Sequence, residues 1–172
     1  MSQPPSSRRI GTVMLVLAWL AGMALAVQWF SGVEERRRNP NTQPVSLAVD
    51  GYIEVRLERN AQGHYMASGR INEQRVTFLL DTGATFVAVP AGLAGELGLQ
   101  RGRPFMVNTA NGMTESYSTR IDSLRLGDIL LRDVSAGIVP GMGGDEVLLG
   151  MSALKQLEFA QQGRELILRQ PR

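Results

Sequence analysis

The chain has 172 residues, about one domain's worth, and its 44% hydrophobic content is ordinary but unevenly spread, with a large share in residues 10–30. It has no cysteine, which excludes a disulfide framework, a thiolate metal site and a cysteine nucleophile, and its lone histidine, His64, cannot make a His-rich metal site. Of the 18 Lys and Arg, five flank the apolar segment, as do two of the 16 Asp and Glu; the 13 and 14 left in residues 47–172 give about −1, so the formal +2 does not describe a basic domain surface for nucleic acid.

Residues 1–9 are a short basic arm carrying Arg8 and Arg9. Residues 10–30 follow without a charge, long enough to cross a hydrocarbon core of about 30 Å as a helix. Trp29 and Phe30 stand where an interfacial aromatic anchor belongs. Ala24-Leu25-Ala26 also fits a signal-peptidase site, so a cleaved leader competes with an uncleaved anchor; the apolar run past that point favours the anchor. Arg8 and Arg9 before the span nearly balance Arg36, Arg37 and Arg38 after it, diluted by Glu34 and Glu35. The short arm resembles the n-region of an export signal, which puts the large C-terminal part outside the cytoplasm. Residues 31–46, with Pro40, Pro44 and no apolar period, read as a solvated linker, and residues 47–172 as the folded domain.

From residue 47 the pattern is one of short strands. Residues 52–59 alternate with period two, residues 60–63 break the pattern, and residues 64–71 resume it. Asn72-Glu73 turns again, and residues 75–80 lead into Asp81-Thr82-Gly83-Ala84-Thr85. A carboxylate at the end of an apolar strand carries a desolvation cost that a functional site would justify. Thr82 adds a hydroxyl able to bond to backbone or to a partner chain, and Gly83 lets a second backbone or a substrate approach closely. Two apolar residues, Asp, Thr or Ser, Gly, a small residue, then Ser or Thr arise by chance in roughly one chain in ten thousand of this length. The competing reading is a strand-to-turn junction, since Asp and Gly both form turns well.

Leu79-Leu80-Asp81-Thr82-Gly83-Ala84-Thr85 resembles the active-site turn of aspartic peptidases, and most nearly the retropepsin-like group, whose chains carry one such motif and dimerise. The resemblance spans about residues 52–159 and implies a mainly β, closed retropepsin-like fold with one or two short helices, here preceded by a transmembrane helix.

Residues 86–89 form the next strand, and Pro90 leads to a short helix over 91–97 closed by Gly98. Asn111-Gly112 between β-prone flanks signals a hairpin: an ordinary exposed one, or a flap that folds over a bound peptide. The resemblance favours the flap. Residues 120–131 read as two strands about Gly127-Asp128, and residues 134–139 as another. Residues 140–144 (PGMGG) are a loop without the spacing of a phosphate cradle. Val147-Leu148-Leu149-Gly150, then a helix over 152–159 with Ser152 as N-cap, resembles the strand and helix that close this fold, with Gly150 letting the Asp turn approach. Residues 165–169 form a terminal strand, pairing at a dimer interface or edging the domain. His64 sits on a strand beside a turn and has no catalytic reading to prefer.

What the resemblance implies is a homodimeric, membrane-anchored aspartic endopeptidase acting on protein or peptide substrates, without metal or cofactor. Asp81, Thr82 and Gly83 are its catalytic turn, and Ala84, Thr109, Ala110, Asn111 and Gly112 its substrate-binding residues. It implies a single-pass protein of the bacterial inner membrane with the catalytic domain in the periplasm. The alternative is a non-proteolytic dimerisation or peptide-binding module on the same fold; a structural envelope protein bearing the motif by chance is a third.

Overall fold

The computed structural model describes residues 6–109 and 112–172. Two units are distinguished along the chain, residues 1–37 and residues 38–172. The first is helical: α1 spans Ser6–Arg38, with the apolar side chains of residues 10–30 exposed to the surroundings and no charge among them. This helix is long and apolar enough to cross a bilayer.

Among the described residues, the second unit is built from eleven strands and one helical turn. Strands β1 (Ser46–Val49), β2 (Tyr52–Glu58), β10 (Glu158–Gln162) and β11 (Glu165–Pro171) make a four-stranded antiparallel sheet in the order β1-β2-β11-β10. Strands β3 (Met66–Ile71), β4 (Gln74–Leu80), β5 (Val87–Pro90), β6 (Pro104–Thr109), β7 (Gly112–Leu126), β8 (Ile129–Val139) and β9 (Glu146–Leu149) make the second sheet, in the order β3-β4-β9-β5-β8-β7-β6. An extra pairing of β3 with β7, through Arg70↔Arg125 and Ile71↔Leu124, closes this sheet into a barrel and leaves β6 outside it as one arm of a hairpin. The interior is filled by alternate residues of these strands, among them Phe78, Val87, Val89, Ile121, Ile138 and Leu149.

Turn chemistry sets the registers. Asn72 and Glu73 both have positive φ, 46° and 65°, the geometry of a two-residue turn that matches strand twist, and Ile71 pairs with Gln74 across it. The expected turn at Gly127-Asp128 joins β7 to β8 with Leu126 opposite Ile129.

Several elements differ from the sequence expectation. Residues 91–98 are consecutive turns rather than a helix, with Leu97 bonded to Leu93 but Gly98 to Gly95; Gly92 and Gly95 make a continuous helix costly. The helix expected over 152–159 is one turn, α2 (Met151–Leu154), because from Glu158 the backbone pairs with β11. Ser152 is not its N-cap; Gly150 holds that position, with no side-chain cap bond. The terminal strand β11 is interior to its sheet, between β2 and β10. The flank that follows the expected hairpin turn and the first of the two strands expected over 120–131 are one continuous strand, β7.

The stretch expected as a solvated linker divides. It is helical as far as Arg38, and beyond that Asn39 and Asn41 are buried. Asn41 Nδ2 donates to the carbonyls of Glu58 (2.9 Å) and Met66 (2.7 Å), and its Oδ1 accepts from the Glu58 N–H (2.8 Å). A side-chain amide can mimic a backbone group and fill a gap in a ladder, which apolar periodicity does not register.

Candidate active site

Asp81 lies at the end of β4, where two neighbours fix it. The parallel strand β9 places Leu80 beside Leu149, and the Asp81 N–H reaches the Leu149 carbonyl at 3.2 Å. The Ala84 N–H closes the turn onto the Asp81 carbonyl at 3.2 Å, and the Gly83 N–H donates to Asp81 Oδ1 at 2.8 Å, which fixes the carboxylate's rotamer. Asp81 is half-buried, whereas Thr82 and Gly83 are exposed.

The other side of the turn is held by the start of α2. The N–H groups of Met151 and Ser152 donate to the carbonyls of Ala84 (2.8 Å) and Thr85 (3.0 Å). This contact is possible only because residue 150 is glycine: a Cβ there would lie 2.2 Å from the Phe86 carbonyl oxygen and 2.7 Å from that of Ala84. Ser152 Oγ accepts from the Val87 N–H (3.0 Å) and donates to the Ser135 carbonyl (2.7 Å), tying α2 to β5 and β8. The Asp turn is thus gripped by Gly150 and Ser152.

The hairpin of β6 and β7 reaches over this turn. Thr109 pairs with Gly112, which has φ +103°, and Thr109 Oγ1 donates to the Gly112 carbonyl at 2.8 Å. The expected turn at Asn111-Gly112 falls partly on Ala110 and Asn111, which stand between these partners in sequence and lie outside the described residues. At its base Phe105 packs edge-on against Phe86, ring centres 5.3 Å apart, over Gly137. The aromatic pair joins the hairpin to the segment that follows the Asp turn.

Beneath the hairpin is a cleft of about 590 Å³. Its floor includes Asp81, Gly83, Ala84 and Leu148, and its roof Val107, Thr109, Gly112 and Met113. Its remaining wall is the loop from Val139 to Gly143, which contributes Pro140 and Met142. Five of the expected site residues, Asp81, Gly83, Ala84, Thr109 and Gly112, therefore share one cavity, while Thr82 lies beside it. Sequence reasoning missed the 139–143 wall, whose Gly-rich stretch carries no periodicity; Thr114 Oγ1, 3.5 Å from the Pro140 carbonyl, links it to the hairpin. His64 takes no part in the cleft; its N–H caps the Asn60 side chain at 2.9 Å. Among the described residues no group of acidic or histidine side chains is arranged to hold a metal.

A model of the family described as "gag-polyprotein putative aspartyl protease" matches residues 67–156, the span from β3 to the end of α2 that contains the Asp turn, the hairpin and Gly150. The chain belongs to the retropepsin-like aspartic peptidase family. A Sinorhizobium sp. protein described as "Uncharacterized protein in cobV 5'region" is 30% identical over 125 residues, covering 71% of this chain; the chain spans about half, 54%, of that relative's length. Among solved structures, a retropepsin-like aspartic protease from Rickettsia conorii shares the fold at 24% identity and a TM-score of 0.56, over 74% of this chain and 94% of its own. The EIAV protease in complex with the inhibitor HBY-793 matches at 20% identity and TM-score 0.43, over 56% of this chain and 89% of its own. Family membership and fold support a peptidase function for the 38–172 unit.

Proposed function

We propose that this protein is a membrane-anchored, homodimeric aspartic endopeptidase. The observation that carries the reading is the half-exposed Asp81 on the floor of a peptide-sized cleft, its carboxylate oriented by the Gly83 N–H and its turn clamped by Gly150. One such Asp is half of a catalytic pair. Among the described residues no other Asp or Glu lines the cleft, so the second carboxylate is Asp81 of another copy across a two-fold axis. Thr82, exposed beside the cleft, offers a hydroxyl for bonding to the partner chain.

Two carboxylates within hydrogen-bond distance share one proton, because both cannot be charged there. The ionised Asp81 takes a proton from a water as its oxygen attacks the scissile carbonyl carbon. The protonated Asp81 gives its proton to the carbonyl oxygen, forming a tetrahedral diol. The first Asp81 then gives its proton to the amide nitrogen while a diol hydroxyl gives one to the second, so that the C–N bond breaks into acid and amine and the pair again shares one proton. Thr109 and Gly112, with Ala110 and Asn111 between them in sequence, bind the substrate backbone from above, and Ala84 from below. No metal or cofactor enters the scheme. Residues 10–30 anchor the chain in the bacterial inner membrane, after a basic arm at 1–9 and before a connecting stretch at 31–46. Residues 47–172 are the peptidase domain, on the periplasmic side; tethering in a plane raises the local concentration at which two copies meet.

The test is incubation of the full chain in detergent with a diverse peptide mixture between about pH 4 and 7, where a shared-proton pair operates, with new termini counted by mass spectrometry. Cleavage by wild type and not by Asp81→Asn supports the reading. Equal cleavage by both refutes it. A folded dimer that cuts nothing points instead to the peptide-binding module.

A further inference from the structure

On the outer face of the barrel, away from the cleft, three arginines form a row across three adjacent strands. The register places Arg70 of β3 directly opposite Arg75 of β4 on one side and directly opposite Arg125 of β7 on the other. Directly paired residues share a face, so the three arginines leave the same face of the sheet from strands about 4.8 Å apart. Like charges opposite one another destabilise a sheet, and among the described residues none of the three has an ion-pair partner. Glu146, which lies on the same face opposite Thr77, is ion-paired with Arg38. The Arg70 guanidinium donates to the backbone carbonyl of Glu73, at 3.0 Å. The row borders a concavity of about 160 Å³, completed by Thr42, Ser68, Gly69 and Gly127, with no acid in its lining and no residue shared with the Asp81 cleft.

The position of this patch along the chain is its second feature. Thr42, which lines it, is four residues beyond Arg38, the last residue of α1, a reach of at most about 14 Å. That short path is pinned to β3 beside the arginines, through Asn39 Nδ2 to Ser68 Oγ (3.1 Å) and a bridge of Asn41 to Ala67. Arg36, Arg37 and Arg38 precede it in sequence. Guanidinium groups in a fixed array match phosphate oxygens by paired hydrogen bonds, and a covalent tether keeps a membrane's phosphates at high effective concentration.

We propose that the face centred on Arg70, Arg75 and Arg125 binds the phosphate headgroups of anionic phospholipids in the bilayer that α1 enters, docking the peptidase domain on the membrane surface. The proposal rests on the membrane-anchor reading and is independent of catalysis. Three arginines at an anionic surface favour the docked over the free state by about a hundredfold, and salt weakens this.

The test uses the full chain, whose lack of cysteine allows a single Thr77→Cys label, two residues along β4 from Arg75 and on the same face as the row. The labelled chain is reconstituted in vesicles of phosphatidylcholine alone or with phosphatidylglycerol, each doped with a headgroup nitroxide that quenches the label at short range. Quenching confined to the anionic vesicles is expected, lost in Arg70→Gln/Arg75→Gln/Arg125→Gln and kept in the corresponding triple Lys variant. Equal quenching in neutral vesicles, or an unchanged Gln triple, overturns the proposal. So does loss of quenching to millimolar inorganic phosphate at fixed ionic strength, which identifies a site for soluble anions. Flotation with neutral vesicles reads the anchor separately: a chain that fails to float refutes the anchor and this docking together, whereas one that floats without anionic-lipid quenching refutes the docking alone.

Discussion

Replacing Gly150 by Ala adds one methyl group at the point where α2 meets the Asp turn. That methyl would lie 2.2 Å from the Phe86 carbonyl oxygen and 2.7 Å from the Ala84 carbonyl oxygen, both backbone atoms that no side-chain rotation can move aside. Relief requires the turn and α2 to separate by about 1 Å, since ordinary carbon–oxygen contacts begin above about 3 Å. A shift of that size stretches the 2.8 Å bond from the Met151 N–H to Ala84 and the 3.0 Å bond from the Ser152 N–H to Thr85. Overpacking costs about 1–3 kcal/mol, and each weakened hydrogen bond about 1 kcal/mol. The total, about 3–5 kcal/mol, is a large part of a domain's margin of roughly 5–15 kcal/mol. Urea titration of the full chain in mild detergent measures the loss, and amide hydrogen exchange locates it at Met151 and Ser152. Because a misplacement of about 1 Å costs roughly a hundredfold in rate, peptide cleavage falls further than stability alone explains. Gly92→Ala, whose added methyl meets nothing within 4 Å, is the control and is expected to change stability by less than about 0.5 kcal/mol. A Gly150→Ala variant as stable and as well protected as the control would refute the clamp.

Other expectations follow from the same contacts. Ser152→Ala removes the partner of the buried Val87 N–H and is expected to cost about 1–3 kcal/mol in urea titrations, whereas Ser152→Thr keeps the hydroxyl and most of the stability. Gly137→Ala drives a methyl to 2.5 Å from the Phe86 ring and 3.1 Å from that of Phe105; parting the rings at the hairpin's base is expected to raise KM more than it lowers kcat, read by steady-state cleavage. Glu54, 1% exposed, accepts bonds from Arg169 (2.7 Å) and Arg56 (2.8 Å), which hold its carboxyl below the ordinary carboxylate range against the opposing effect of burial. Its folded pKa being depressed, the stabilisation is present above the unfolded value near 4.5 and is lost as pH falls through the folded one. Arg169→Gln removes the largest cause of the depression, so acid unfolding of the variant is expected to begin at higher pH than in wild type, measured by circular dichroism across an acid titration.

What could be read from residues alone was what local chemistry fixes. Asn72-Glu73 and Gly127-Asp128 turn where expected because those residues tolerate or favour the required backbone. Gly150 lies against the Asp turn because a strand ending in glycine admits a second backbone. Hidden from the sequence were features set by distant partners. The 152–159 segment has helical spacing, but pairing with β11 captures Glu158 onward as strand. Ser152 looks like a cap, yet its hydroxyl serves β5 and β8, far away in sequence. Asn41 enters the barrel wall through amide bonds that leave no apolar trace. The arginine row is visible only once the register sets residues 70, 75 and 125 side by side.

The central claim, that one site is built from two copies of Asp81, is tested most directly by subunit mixing. Wild-type and Asp81→Asn chains are co-produced in varied ratios at constant total amount, and peptide cleavage is measured against the wild-type fraction. If each site needs an Asp81 from both chains, activity follows the square of that fraction, about one quarter at an equal mixture. Activity that falls only in proportion, to about one half, would mean each chain works alone and would contradict the account.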